Sequence, residues 1–337
     1  MNFIRPKLQI SNKLLQGIGI PHSAILSVIF GMMILSFPLG AYVMYNSDLG
    51  DDINFEFPLN QFEVVVPGIE FSIPVEVEIG DAFIILWSTY IILFTIAMFG
   101  PKEGFLKTMS LFLSQGKFTM NTNYMVALIT WFSILILASA LINFFQEGFG
   151  ISTIPPVVEN DLIQFFYVSL APITEEIGFR VFLIGIPLFL LYSHKTSVGH
   201  FFKGLWSPST NLQIYELRRA IILIIIVAIF FGFSHIISGD SWSNGKFAQA
   251  TVGGIILGWV YFRYGLVSAV LVHWGTNYFI FSYVNLISQI SLISVEDAFS
   301  HSLINTMEII FLISGVLSIS VLSINYFYSK RKSFLEV

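Results

Sequence analysis

Apolar runs of about 20 residues recur along the chain, near 22–45, 81–99, 124–146, 162–192, 219–238, 247–262, 265–288 and 303–328. Each is about as long as a helix that crosses ~30 Å of hydrocarbon. The pattern predicts an all-α polytopic membrane protein of about eight transmembrane helices, with 1–337 forming a single transmembrane domain. The sixth run is short, and its Gly253, Gly254 and Gly258 suit close helix contact. A second period appears between the first two runs. Over 69–79, Ile69, Phe71, Ile73, Val75, Val77 and Ile79 alternate with Glu70, Ser72, Pro74, Glu76 and Glu78, after a run at 62–66 and a Pro67-Gly68 turn. A period of two with a turn between runs reads as a small β-hairpin. It falls in an acidic loop, 46–80, expected outside the membrane as a plain loop or as a cap for substrate or partner.

Composition agrees with the pattern. With 55% hydrophobic and 11% charged residues, the chain is far more apolar than an average soluble domain. The lipid bilayer is therefore an expected partner. No basic field suggests nucleic acid, and the chain carries no signal of oligomeric state. The absence of cysteine excludes disulfides and thiolate-bound metal. Of the 16 Lys and Arg residues, all but Arg180 and Lys246 fall on the N-terminal side of an eight-span topology. The first loop on the opposite side carries Asp48, Asp51, Asp52, Glu56, Glu63, Glu70, Glu76, Glu78 and Asp81 with no basic residue. Basic residues concentrate on the cytoplasmic side, so both termini are expected there, in a multi-pass protein of the plasma membrane. A polar lead of roughly 20 residues before the first run argues against a cleaved signal peptide.

Three charges break the fourth run: Glu175, Glu176 and Arg180. Each costs on the order of 2.5 kcal/mol or more at the centre of a bilayer, so such residues mark functional sites. On a helix Glu176 and Arg180 lie one turn apart on a shared face, while Glu175 points about 100° away. One carboxylate can pair with the guanidinium and the other is left to act. Pro172, Gly178 and Pro187 loosen the segment, as suits a helix lining a cavity. The plainer reading is an ion-paired helix that fixes packing. In the fifth run Phe231 and His235 share a face, and in the seventh His273 and Asn277 do the same. An isolated intramembrane His or Asn is often helix-to-helix glue. The other histidines, His22, His194, His200 and His301, fall in loops or at the edges of runs. Helix rise puts His273 and Asn277 some 10 Å shallower than Glu175 and His235, a gap that tilt or helix breaks must close.

The ordered triple Glu-Glu-x-x-x-Arg, Phe-x-x-x-His and His-x-x-x-Asn resembles the CPBP (CAAX protease and bacteriocin-processing, or ABI) family, which includes type II CAAX prenyl endopeptidases. The resemblance covers about 160–290, expected to be the catalytic helical core. It implies an intramembrane endopeptidase acting on a membrane-associated peptide, prenylated CAAX-type tails included, in which Glu175 and His235 activate water and His273 and Asn277 form an oxyanion hole. Glu176 and Arg180 would hold the site in shape, with Arg180 alternatively meeting a substrate carboxylate, and Phe231 would pack beside it. No cofactor is expected. The alternative is zinc held by Glu175, His235 and His273, although the His-Glu-x-x-His helix of zincins is absent. Two other classes stay open: a catalytically idle membrane scaffold or regulator of the same fold, and an ion-coupled transporter.

Overall fold

The computed structural model describes residues 5–45, 58–66, 69–116, 118–153, 160–194, 197–237 and 243–335. Its elements in chain order are α1 (Arg5–Tyr45), β1 (Pro58–Val66), β2 (Ile69–Glu78), α2 (Ile79–Phe99), α3 (Phe105–Gln115), α4 (Tyr124–Gly148) and α5 (Asp161–Glu175). A widened helical segment (Glu176–Gly185) then leads to α6 (Ile186–Tyr192), α7 (Val198–Trp206), α8 (Pro208–Asn211), α9 (Leu217–Ile237) and α10 (Lys246–Tyr264). The chain continues through α11 (Leu266–Trp274), a second widened segment (Gly275–Phe279), α12 (Ile280–Ser291), α13 (Val295–Phe299) and α14 (Ser302–Leu335).

Among the described residues, five stretches are long and apolar enough to cross a membrane: Lys13–Tyr45, Ile79–Phe99, Tyr124–Gly148, Leu217–Ile237 and Ser302–Phe327. In α9 the apolar side chains of Ile222, Ile226, Phe230 and Phe233 point outward. So large an apolar surface is stable only against lipid or another protein. The protein is an all-α integral membrane protein. The other three expected spans correspond to α5 with the widened segment and α6, to α10, and to α11 with the second widened segment and α12. Two of these are broken near their polar residues, which is why they do not read as uninterrupted rods.

β1 and β2 pair antiparallel, with Val66 opposite Ile69 and Glu63 opposite Ser72. The register shifts between Leu59 and Gln61, opposite Pro74. A proline cannot donate to a ladder and is tolerated at such an irregularity. Within β2, Val75 and Val77 are half-buried while Glu76 and Glu78 are exposed, as the alternation requires. β1 packs against α5 and the first widened segment, so the hairpin leans on the helix that carries the acids. The Pro67-Gly68 turn and the acids of 46–57 lie outside the described residues.

An aromatic core backs the polar helices. Trp274 stacks on Tyr278 at 5.5 Å and on Phe37 at 5.3 Å, and Phe165 stacks on Tyr278 at 5.6 Å. Because Trp274 and Tyr278 flank His273 and Asn277 in sequence, burying these rings fixes where the polar side chains emerge. Buried hydroxyls are tied to backbone: Tyr278 Oη donates to Ser36 O at 3.2 Å and Tyr90 Oη to Ser169 O at 2.6 Å. The turn from α10 into α11 passes through Gly265 at φ +89°, where a Cβ would meet Trp206 O at 2.7 Å. A side chain there is excluded both by conformation and by space.

Candidate active site

Pro172 has no N–H, so the Val168 carbonyl four residues earlier loses its helical donor. Asn277 Nδ2 supplies the replacement at 3.0 Å, joining the second widened segment to α5. Because a carbonyl only accepts, this bond fixes the orientation of the amide; the Asn277 Oδ1 lies 3.0 Å from Thr276 Oγ1, whose single hydrogen it shares with His273 O at 2.8 Å. One amide hydrogen thus goes to Val168, and the nitrogen carries a second.

From Glu176 onward the helix widens into i→i+5 turns, a feature frequent at functional sites. Glu176 is fully buried and lies between two partners. Its Oε2 is 3.0 Å from Arg180 Nε, and its Oε1 is 3.0 Å from His273 Nδ1. Arg180 is 1% exposed, and its Cζ lies 4.4 Å from the centroid of the Phe231 ring. Its two terminal nitrogens have no hydrogen-bond partner among the described residues, so the carboxylate and the ring face are what hold the guanidinium. Phe231 also meets His235 edge-on at 4.7 Å and His273 at 6.2 Å, and so forms the floor of the cluster.

The two histidines are held by different acceptors. His235 Nδ1 is 2.8 Å from Phe231 O. A carbonyl only accepts, so Nδ1 carries the proton and Nε2 of the neutral ring is left as an acceptor. His273 Nδ1 donates in the same way to Glu176, which leaves its Nε2 facing Glu175 Oε2 at 3.7 Å. His273 is therefore the residue that both glutamates share. Burial divides the group in two. Glu176, Arg180 and His273 are closed off, whereas Glu175, His235 and Asn277 are half-buried and retain access.

The structure thus gathers Glu175, Glu176, Arg180, Phe231, His235 and His273 from three helical stretches distant in sequence, and places Asn277 against the Val168 carbonyl of the acid-bearing helix. The depth gap expected for His273 closes, because the helices bearing it and the acids are widened at the site. Lys246 was set apart in the sequence only as the odd basic residue of the charge asymmetry. It opens α10, whose first turn packs closely on the α9 stretch bearing His235: a Cβ at Gly232 would lie 3.0 Å from Phe247 O. Thr276 was not singled out, although its place beside Asn277 was the available signal. Among the described residues no three His, Cys, Asp or Glu side chains are grouped so as to hold a metal ion.

These features define a polytopic membrane protein with a buried Glu176, Arg180 and His273 centre flanked by the half-buried Glu175 and His235. Residues 160–279 match the profile of the family described as type II CAAX prenyl endopeptidase Rce1-like. This match spans all seven residues and supports the CPBP resemblance carried by the motifs; the family is one of membrane proteases. No curated protein and no solved structure matches the chain.

Proposed function

We propose that the protein is an intramembrane endopeptidase that hydrolyses a peptide bond of a membrane-associated substrate, prenylated CAAX-type tails included. The observation that carries this reading is the division of the site. Glu175 and His235 are the accessible acid and imidazole, and behind them stands a closed Glu176, Arg180 and His273 array. In this mechanism a water between Glu175 and His235 Nε2 gives its proton to Glu175 as its oxygen attacks the scissile carbonyl carbon. Glu175 then returns the proton to the leaving amide nitrogen, and the C–N bond breaks to a carboxylic acid and an amine. The tetrahedral oxyanion is received by the second amide hydrogen of Asn277 and by Nε2–H of His273, which donates there only as the imidazolium because its Nδ1–H is given to Glu176. The mechanism needs no metal. The hairpin leaning on the acid-bearing helix caps the site.

The direct test uses purified protein in detergent or liposomes. A quenched fluorogenic peptide with a farnesylated cysteine followed by three residues is expected to be cut, and its unprenylated twin to be cut more slowly. If neither peptide is cut, and Glu175→Ala protein purified from its host carries no bound peptide, the reading is wrong. Asn277→Ala is expected to lower kcat by ~100-fold, the scale for losing one oxyanion donor. Since that side chain also closes the Val168 carbonyl, some loss of thermal stability should accompany it. An unchanged kcat would remove Asn277 from the oxyanion hole.

The same reading takes eight spans with both termini cytoplasmic and the hairpin on the opposite side. Because the chain has no cysteine, single introduced cysteines report sidedness without background. Labelling by an impermeant maleimide is expected at a cysteine beside Asp51 in intact cells, and only after permeabilisation at one beside Lys332. The reverse pattern would invert the topology.

A further inference from the structure

The hydrogen bond that seats Asn277 exists because one backbone donor is missing. A helical carbonyl points toward the N–H four residues ahead, and at position 172 the proline ring replaces that N–H. Val168 O is left without its helical donor, and Asn277 Nδ2 takes it at 3.0 Å. The adjacent carbonyl, Ser169 O, accepts from Tyr90 Oη at 2.6 Å. Two consecutive carbonyls, one turn before the proline, therefore accept from side chains of other elements, while α5 runs on through Pro172 to Glu175. A proline in a helix interior costs stability, and this one is buried within α5 rather than placed at its end.

The bond to Val168 is the firmer of the two anchors of the amide. On the other side, Asn277 Oδ1 lies 3.0 Å from Thr276 Oγ1, whose single hydrogen has a nearer acceptor in His273 O at 2.8 Å. Thr276 therefore steadies the amide only in part. Because the Val168 oxygen points along the helix, the amide meets α5 near Pro172, three residues before Glu175. His273, one turn before Asn277, meets the same stretch at Glu176, whose Oε1 is 3.0 Å from its Nδ1. The segment bearing His273 and Asn277 is thus fastened to the acid-bearing stretch at points on either side of Glu175 in sequence.

Resting on the peptidase reading given above, we propose that Pro172 is a positioning residue of the oxyanion hole: by withholding a backbone N–H it reserves the Val168 carbonyl for Asn277, and so aims the second amide hydrogen of Asn277 at the oxyanion. Pro172 touches no reacting atom. With Ala at this position the restored N–H competes for Val168 O from within the helix, and the amide is left to Thr276.

A thermal-unfolding cycle in detergent tests the coupling without any substrate. Asn277→Ala strands the Val168 carbonyl in the wild-type background and is expected to lower Tm by ~3 °C or more. In Pro172→Ala protein the restored N–H closes that carbonyl, and the same change is expected to lower Tm by less than about half as much. Equal falls in both backgrounds would overturn the coupling. With the farnesylated peptide as probe, Pro172→Ala should reduce kcat about tenfold with little change in KM, and should reduce it no further in Asn277→Ala protein, where the donor it positions is absent. A fall of the same size in both backgrounds would mean that the proline acts on Glu175 through the shape of α5, and would overturn the proposal. Pro172→Gly, which also returns the N–H, should repeat the pattern, and wild-type kcat in both Pro172 variants would overturn it as well. Should the wild-type protein cut no peptide, the peptidase reading falls while the unfolding cycle still decides whether Pro172 and Asn277 are coupled.

Discussion

Replacing Glu175 with Ala is expected to abolish peptide cleavage, lowering kcat by at least ~10³-fold, within the range that a positioned general base contributes. The side chain is half-buried, and His273 Nε2 lies 3.7 Å from its Oε2. In the proposed mechanism its removal takes away the proton acceptor and leaves the closed Glu176 and Arg180 pair intact. Helical content and detergent stability should stay close to wild type, which separates lost chemistry from lost folding. His235→Ala should have an effect of similar size, because in the proposed mechanism His235 Nε2 is the second acceptor for the attacking water. Prolonged chelation of the wild-type protein is the companion measurement. Undiminished cleavage is expected, and a loss restored by zinc would favour the metal-bound alternative. Glu175→Ala protein that cleaves like wild type would instead favour an idle scaffold of the same fold.

Arg180→Met is expected to destabilise the protein by about 3–5 kcal/mol, the scale for removing one partner of a buried ion pair. Glu176 is fully buried, and its Oε2 faces Arg180 at 3.0 Å. Without the guanidinium it keeps only its hydrogen bond from His273. The double variant Arg180→Met with Glu176→Gln should regain most of the loss, since no stranded charge is left in hydrocarbon. Unfolding by heat or by denaturing detergent reads this directly. A single variant as stable as wild type would mean that the Phe231 face and the widened helix, rather than the ion pair, hold the segment. Activity should fall in the double variant as well, because Glu176 also orients His273.

Much of the membrane architecture was legible in the run lengths. The helices near 81–99, 124–146, 219–238 and 303–328 lie close to their expected positions, because in lipid a long apolar run has few conformations other than a helix. The α1 helix begins much earlier than its apolar run, at Arg5. Hydropathy marks where a helix meets lipid and leaves open where the helix itself begins. The strand alternation was legible for the same kind of reason, since a period of two reflects one covered and one open face.

The site was legible as a set of residue types and illegible as a geometry. The chain's order of Glu175, Glu176, Arg180, His235, His273 and Asn277 marked the polar residues that lipid does not tolerate without partners. It did not say which pairs form. Straight-rod arithmetic left His273 shallow, yet it bonds Glu176 at 3.0 Å. The widened turns over Glu176–Gly185 and Gly275–Phe279 depend on packing between helices that no local pattern encodes.

Sequence by itself determined that this chain lives in a bilayer and that a few costly charges must find one another there. Insertion depends on local apolar length, and local length is written residue by residue. Only the tertiary structure decided that His273 lies between both glutamates and that Asn277 closes the carbonyl freed by Pro172. Those contacts join residues tens to a hundred positions apart, and their energies exist only once the helices have packed.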